Sequence, residues 1–169
     1  MSNRNSPERG QAPRKRRGLV LWLLFGGLMA AGLGVAVTIY WPMTSSAGAN
    51  SDDPAQVSLG TTVYTENCAS CHGANLGGQA NWRIRKPDGR LPAPPHDETG
   101  HTWHHPDEQL FMITKSGVAA IVPGYESDMP AFESILSDED IWAVLSYIKS
   151  TWSPEIKLRR DRRMQRAKQ

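Results

Sequence analysis

The chain has two cysteines, Cys68 and Cys71, three positions apart and followed at once by His72. Thiols at this spacing reach both vinyl groups of one haem, and the adjacent imidazole can ligate its iron, so Cys68-Ala69-Ser70-Cys71-His72 reads as a covalent c-type haem site. A C-x-x-C alone also suits a redox-active dithiol or half of a zinc site. The first wants a βαβ setting and the second a further ligand pair downstream; the sequence after His72 supplies neither. With no other cysteine in the 169 residues, neither thiol belongs to a separate disulfide framework.

Four more histidines, His96, His101, His104 and His105, crowd one later segment, and each is an alternative iron ligand. His101 and His105 have the i, i+4 spacing that holds zinc or copper on a helix, but Gly100 and Pro106 argue against a helix there, and surface or propionate-contacting roles fit better. Trp82, Trp103, Arg83 and Arg85 suit a haem edge, where a propionate beside a low-dielectric pocket needs donors or positive charge; ordinary loop packing suits them equally.

These residues need elements to position them. Leu59, Gly60, Val63 and Tyr64 recur at helical spacing and predict a helix over 57–67, with Ser58 as its N-cap, ending at the haem motif. From Gly73 to Gly100 the glycines and prolines predict a long irregular loop, which a haem would organise in place of a helical core. A helix starting at Pro106, with Asp107 and Glu108 in its first turn, should stop at Gly117; Leu110, Phe111 and Ile113 give its buried stripe, joined by Met112. The last helix opens on a capping box, Ser137 with Asp140, presents Ile141, Trp142, Val144, Leu145 and Ile148, and is ended by Pro154. No strand pattern is long enough for a sheet, so the expected class is all-α.

An uncharged apolar run fills 18–41, long enough to cross a bilayer as one helix. Arg14, Lys15, Arg16 and Arg17 precede it, and Asp52 and Asp53 are the first charges after it, which places the N-terminus in the cytoplasm and the haem motif outside. A cleaved signal peptide, with Ala47-Gly48-Ala49 as its cleavage site, is the competing reading; the length of the run favours a retained anchor. The expected organisation is a basic segment at 1–17, a transmembrane anchor at 18–41, a flexible tether at 42–55, a haem domain at 56–153 and a basic, solvated and partly helical tail at 154–169. Residues 1–17 carry six basic and one acidic side chain, residues 50–156 six and fifteen, and residues 157–169 seven and one. An acidic body between basic ends is poorly suited to nucleic acid.

Over about 56–152 these residues resemble the class I cytochrome c family, in which an N-terminal helix carrying C-x-x-C-H crosses a C-terminal helix. The family's glycine eight residues before the first haem cysteine, and its aromatic four before, correspond to Gly60 and Tyr64; the partners on the last helix correspond to Val144 and Tyr147. The resemblance implies one covalently bound haem c held by Cys68 and Cys71. His72 would be the fifth iron ligand, with its second ring nitrogen bonded to a proline carbonyl, best matched by Pro94. Asp128-Met129-Pro130-Ala131-Phe132 resembles the Met-Pro-x-Phe segment that supplies the axial methionine, making Met129 the sixth ligand. The metal ligands are then His72 and Met129, a pairing that favours ferrous iron and excludes small-molecule ligands. Met112, inside an amphipathic helix, is read as core instead.

The function implied is a membrane-tethered mono-haem cytochrome, a carrier and no enzyme. It would be single-pass in the cell inner membrane, with its haem domain on the periplasmic side, and would pass single electrons between redox partner proteins without a small-molecule substrate. Two rivals stand beside it: a haem-bearing subunit of a larger dehydrogenase or oxidase complex, and a haem enzyme or gas sensor with labile sixth coordination.

Overall fold

Asp53 begins the fold by accepting hydrogen bonds from the backbone N–H groups of Ala55 and Gln56, while Pro54 sets the first helical φ of α1 (Pro54–Asn67). The computed structural model describes residues 48–167 and 169. The expected basic segment at 1–17, the anchor at 18–41 and the first part of the tether lie outside them. Among the described residues no helix is long and apolar enough to cross a membrane. Four helices follow α1: α2 (Ala69–His72), α3 (Asp107–Ser116), α4 (Asp138–Ser150) and α5 (Pro154–Arg166), with 3-10 turns at Thr102–His104 and Val118–Ala120. No strand occurs among the described residues, and the class is all-α.

The frame is the crossing of α1 on α4. A Cβ built on Gly60 would stand 1.9 Å from the Ala143 carbonyl oxygen, so only glycine lets the two backbones meet. One turn on, the Tyr64 and Tyr147 rings lie 5.2 Å apart, tilted by 55°. The closest backbone contact is thus with Ala143, one residue before the expected Val144, which instead joins Val63, Tyr64, Leu76, Ile148, Trp152 and Ile156 in the main core cluster. A second cluster of Leu110, Ile141 and Leu145 joins α3 to α4, where Phe111 stacks on Trp142 at 4.3 Å.

Several expectations are corrected. Helix α1 starts three residues earlier than expected, because Asp53 and not Ser58 caps it. Met112 does not join the α3 stripe: it is 40% exposed, and the buried face is Leu110 with Thr114. The capping box of Ser137 and Asp140 is present, but α4 ends at Ser150, and Pro154 opens a further helix in place of ending one. The basic tail is helical, as expected in part, but not without a partner: α5 buries Ile156 and Arg160, and Arg160 pairs with Asp107 at 2.7 Å while donating to the His105 carbonyl at 3.2 Å.

The loop from Gly73 to Gly100 is held by its own backbone. His96 and Asp97 both donate to the Leu76 carbonyl, Gln79 donates to the Ala93 carbonyl, and Gly78 donates to the His72 carbonyl. Gly78, at φ +69°, sits so close to Pro95 that a Cβ would come within 2.5 Å of its nitrogen. These bonds turn the chain back so that Ala93-Pro94-Pro95 runs beside the haem motif.

Candidate haem site

The motif is itself helical. His72 N–H donates to the Cys68 carbonyl and Gly73 N–H to that of Ala69, putting both thiols and the imidazole on one turn. Cys68 and Cys71 are free thiols, Cys68 half-buried and Cys71 exposed. Burial, with a smaller contribution from Cys71, pushes the Cys68 thiol up to about 11. The His72 ring is buried, and its Nδ1 lies 2.8 Å from the Pro94 carbonyl oxygen. Burial holds His72 below the usual histidine range, and the Pro94 carbonyl opposes part of that shift. Iron needs a neutral imidazole, and with Nδ1 donating to the carbonyl, Nε2 is the nitrogen left for a metal. Tyr64 Oη donates to the Gly73 carbonyl at 2.8 Å, tying the motif back to α1.

His96 stacks on His72 with centroids 4.0 Å apart and planes 25° from parallel. Two ligands on opposite faces of a porphyrin cannot stack on one another, so His96 as placed is not the sixth ligand. Its Nδ1 is 2.8 Å from Thr102 Oγ1, and burial, followed by the neighbouring His72 and His101, holds it well below the usual range. The remaining histidines have protein neighbours: His101 stacks on Trp82 at 5.4 Å, His104 stands edge-on to Trp103 at 3.8 Å, and His105 Nδ1 is 3.2 Å from Gln109 Oε1. Among the described residues no three His, Cys, Asp or Glu side chains are grouped to hold a metal ion.

Met129 is half-buried in the segment between the Val118–Ala120 turn and α4, and both of its flanks are held. On one side its N–H donates to Ser127 Oγ, and Asp128 pairs with Lys86 and, at 3.0 Å, with Arg90. The Lys86 hydrogen bond, followed by that of Arg90, keeps the Asp128 carboxyl below the ordinary carboxylate range. On the other side Phe132 is buried and donates its N–H to the Thr114 carbonyl. These contacts tie the Met129 loop to the 86–90 turn and to α3; none of them joins it to His72. Nothing local in the sequence singles out Lys86 or Arg90, whose partner lies 42 and 38 positions away.

The residues present fit a covalently attached haem. Two free thiols and a buried imidazole of fixed tautomer share one turn, and Trp103 Nε1 is buried with no acceptor, the kind of donor that a propionate would use. Arg83 lies over Trp82 at 4.1 Å and Arg85 near Tyr125 at 5.8 Å, so both arginines meet aromatic rings.

No curated protein and no solved structure matches the chain. A family model does: that of cytochrome c, over residues 57–152, more than half the chain and nearly the whole span from α1 through α4. That family carries covalently bound haem c and transfers electrons with it. The helix crossing at Gly60, the His72–Pro94 bond and this match together place the chain in the cytochrome c family.

Proposed function

We propose that the protein is a membrane-tethered electron carrier with one haem, working on the periplasmic face of the cell inner membrane between redox partner proteins. A single C-x-x-C-H motif supports one haem, and the apolar run at 18–41 behind four basic residues supports the tether and its direction. When bound, haem supplies reversible one-electron chemistry at its iron. Cys68 and Cys71 would hold it by thioethers, and His72 and Met129 would be its axial ligands. The chain's own work is positional: the Pro94 carbonyl fixes the His72 tautomer, and the contacts of Asp128 and Phe132 hold the Met129 loop, so that small molecules are kept from the iron.

The observation that carries this reading is the 2.8 Å bond from His72 Nδ1 to the Pro94 carbonyl, beside two free thiols. The test is the absorption spectrum of the ferric holoprotein and of Met129→Ala. Native protein should show the weak near-infrared band of a sulfur-to-iron bond and refuse carbon monoxide when reduced; the variant should lose the band and bind the gas rapidly. A native protein without the band that binds carbon monoxide at once would instead favour an enzyme or gas sensor.

A further inference from the structure

Helix α5 is fixed to the body by one face and presents arginines on the other. Ile156 and Arg160, four residues apart, form the buried stripe, and Arg163 Nε adds a bond to the His104 carbonyl at 3.1 Å. The opposite stripe holds Leu158, 52% exposed, with Arg162 and Arg166 at successive i+4 steps. Arg159 pairs with Glu155 at 3.6 Å and lies over the Trp103 ring of the body at 6.0 Å, whereas Arg162 and Arg166 have no ion-pair partner among the described residues.

The chain joins the body beside α5, on the flank next to its buried stripe. The Ala49 carbonyl accepts from Lys149 Nζ at 2.9 Å, and Ala49 and Asn50 share a cleft with Lys157, Arg160 and Asp161 of α5. Between Trp41, the end of the apolar run, and Gly48 lie only Pro42 to Ala47, a span of at most about 25 Å when fully extended. Residues 50–156 carry fifteen acidic against six basic side chains, so an anionic membrane repels that part of the chain on balance and attracts the basic helix.

We propose that the outward face of α5, Arg162 and Arg166 beside Leu158, is a docking surface for anionic phospholipid headgroups, which holds the haem domain against the membrane. The proposal rests on the tether reading. Each arginine at an anionic surface contributes about a fivefold gain in partitioning at low salt, and Leu158 adds a small apolar contact.

The experiment uses the full-length holoprotein in vesicles of phosphatidylcholine, alone or with about 30 mol% phosphatidylglycerol, and a protease site placed within 42–47. After cleavage the haem domain should stay with the phosphatidylglycerol vesicles at low salt, leave them at about 0.5 M salt, and leave the phosphatidylcholine vesicles at any salt. The double variant Arg162→Gln/Arg166→Gln should weaken retention roughly 25-fold with an unchanged haem spectrum. Release from phosphatidylglycerol vesicles at low salt overturns the proposal, as does capture of an acidic protein by the same arginines without lipid retention, or equal retention by the double variant. If the uncleaved chain enters vesicles of neither composition, the tether reading fails separately. Co-sedimentation of the added protein with the two vesicle types then tests the lipid face on the same criteria.

Discussion

Arg90 Nη1 lies 3.0 Å from Asp128 Oδ1, and Lys86 Nζ takes the other carboxylate oxygen, so two cations of one tight turn grip the residue immediately before Met129. The turn is closed by Lys86 N–H donating to the Arg90 carbonyl at 2.8 Å, which keeps both side chains aimed the same way. The three side chains are 35–47% exposed, so solvent screens their pairing and it adds little to global stability. Its consequence is local: it limits how far the Met129 loop can swing. The holoprotein variant Lys86→Gln/Arg90→Gln should keep its unfolding midpoint, lose part of the near-infrared band and bind carbon monoxide several-fold faster. Raising salt to about 1 M should do the same to the native protein in part. Unchanged gas-binding kinetics would show that the clamp does not restrain the methionine.

The Gly60 contact makes a sharper claim. Alanine is the better helix former by about 1 kcal/mol, so propensity alone predicts that Gly60→Ala is stabilising. The added methyl, however, would lie 1.9 Å from the Ala143 carbonyl oxygen and 2.9 Å from Tyr147 Cβ, and the nearer obstacle is backbone that cannot rotate away. Helices α1 and α4 must then separate, which opens the Tyr64–Tyr147 contact and costs about 1–3 kcal/mol or more. Denaturant unfolding of the variant should give a lower midpoint, or no holoprotein should accumulate; a raised midpoint would contradict the crossing.

What is legible in the sequence is local or carried by the family resemblance. The capping box of Ser137 and Asp140, the stop at Gly117 and the helical spacing of Gly60, Val63 and Tyr64 each lie within a few residues of their cause. Helix α5 looks like a solvated, partly helical tail in the sequence, and its packing on the body is missed, because its apolar residues are few and its buried stripe is completed by Arg160. An arginine becomes buried only when a partner desolvates with it, and that partner, Asp107, lies 53 positions away. The clamp on Asp128 is hidden for the same reason. Ser58 and Asp53 are both good caps; Pro54, which fits only a first turn, favours Asp53.

The His72–Pro94 bond uses a main-chain carbonyl, and this separates two substitutions that look alike. Pro94→Ala keeps the acceptor and loses only ring rigidity, so the haem spectrum should persist and the reduction potential should move by less than about 30 mV, half of a one-electron decade. Gly78→Ala should do more, although Gly78 bears no functional group. Its Cβ would come 2.7 Å from the Pro94 carbonyl carbon and 2.8 Å from the Ala93 oxygen, and its φ of +69° is strained for any other residue. The loop must retreat and take the acceptor from His72. Potentiometry and the yield of attached haem should therefore show a larger defect in Gly78→Ala than in Pro94→Ala; the reverse order would mean that the carbonyl is not what positions the imidazole.

Asp107 is held between two cations, Lys149 Nζ at 2.8 Å and Arg160 at 2.7 Å, with all three side chains less than a quarter exposed. It is also in the first turn of α3, where negative charge is favoured. Removing Arg160 leaves Asp107 paired with Lys149, so Arg160→Met, which keeps most of the buried stem, should cost only about 1–2 kcal/mol. Removing the carboxylate strands two partly buried cations at once, so Asp107→Ala should cost about 3–5 kcal/mol. In addition, α5 should loosen from the 104–105 backbone, because Arg160 loses the group that draws it in. Urea unfolding of the holoprotein measures the first effect, and hydrogen exchange at the α5 amides measures the second. The exchange result distinguishes a pinned helix from a passive one: if α5 amides are no less protected in Asp107→Ala than in the native chain, the ion triad does not hold the helix, and its basic outer face owes its position to Ile156, the Ser153 cap and the Arg163 bond to the His104 carbonyl.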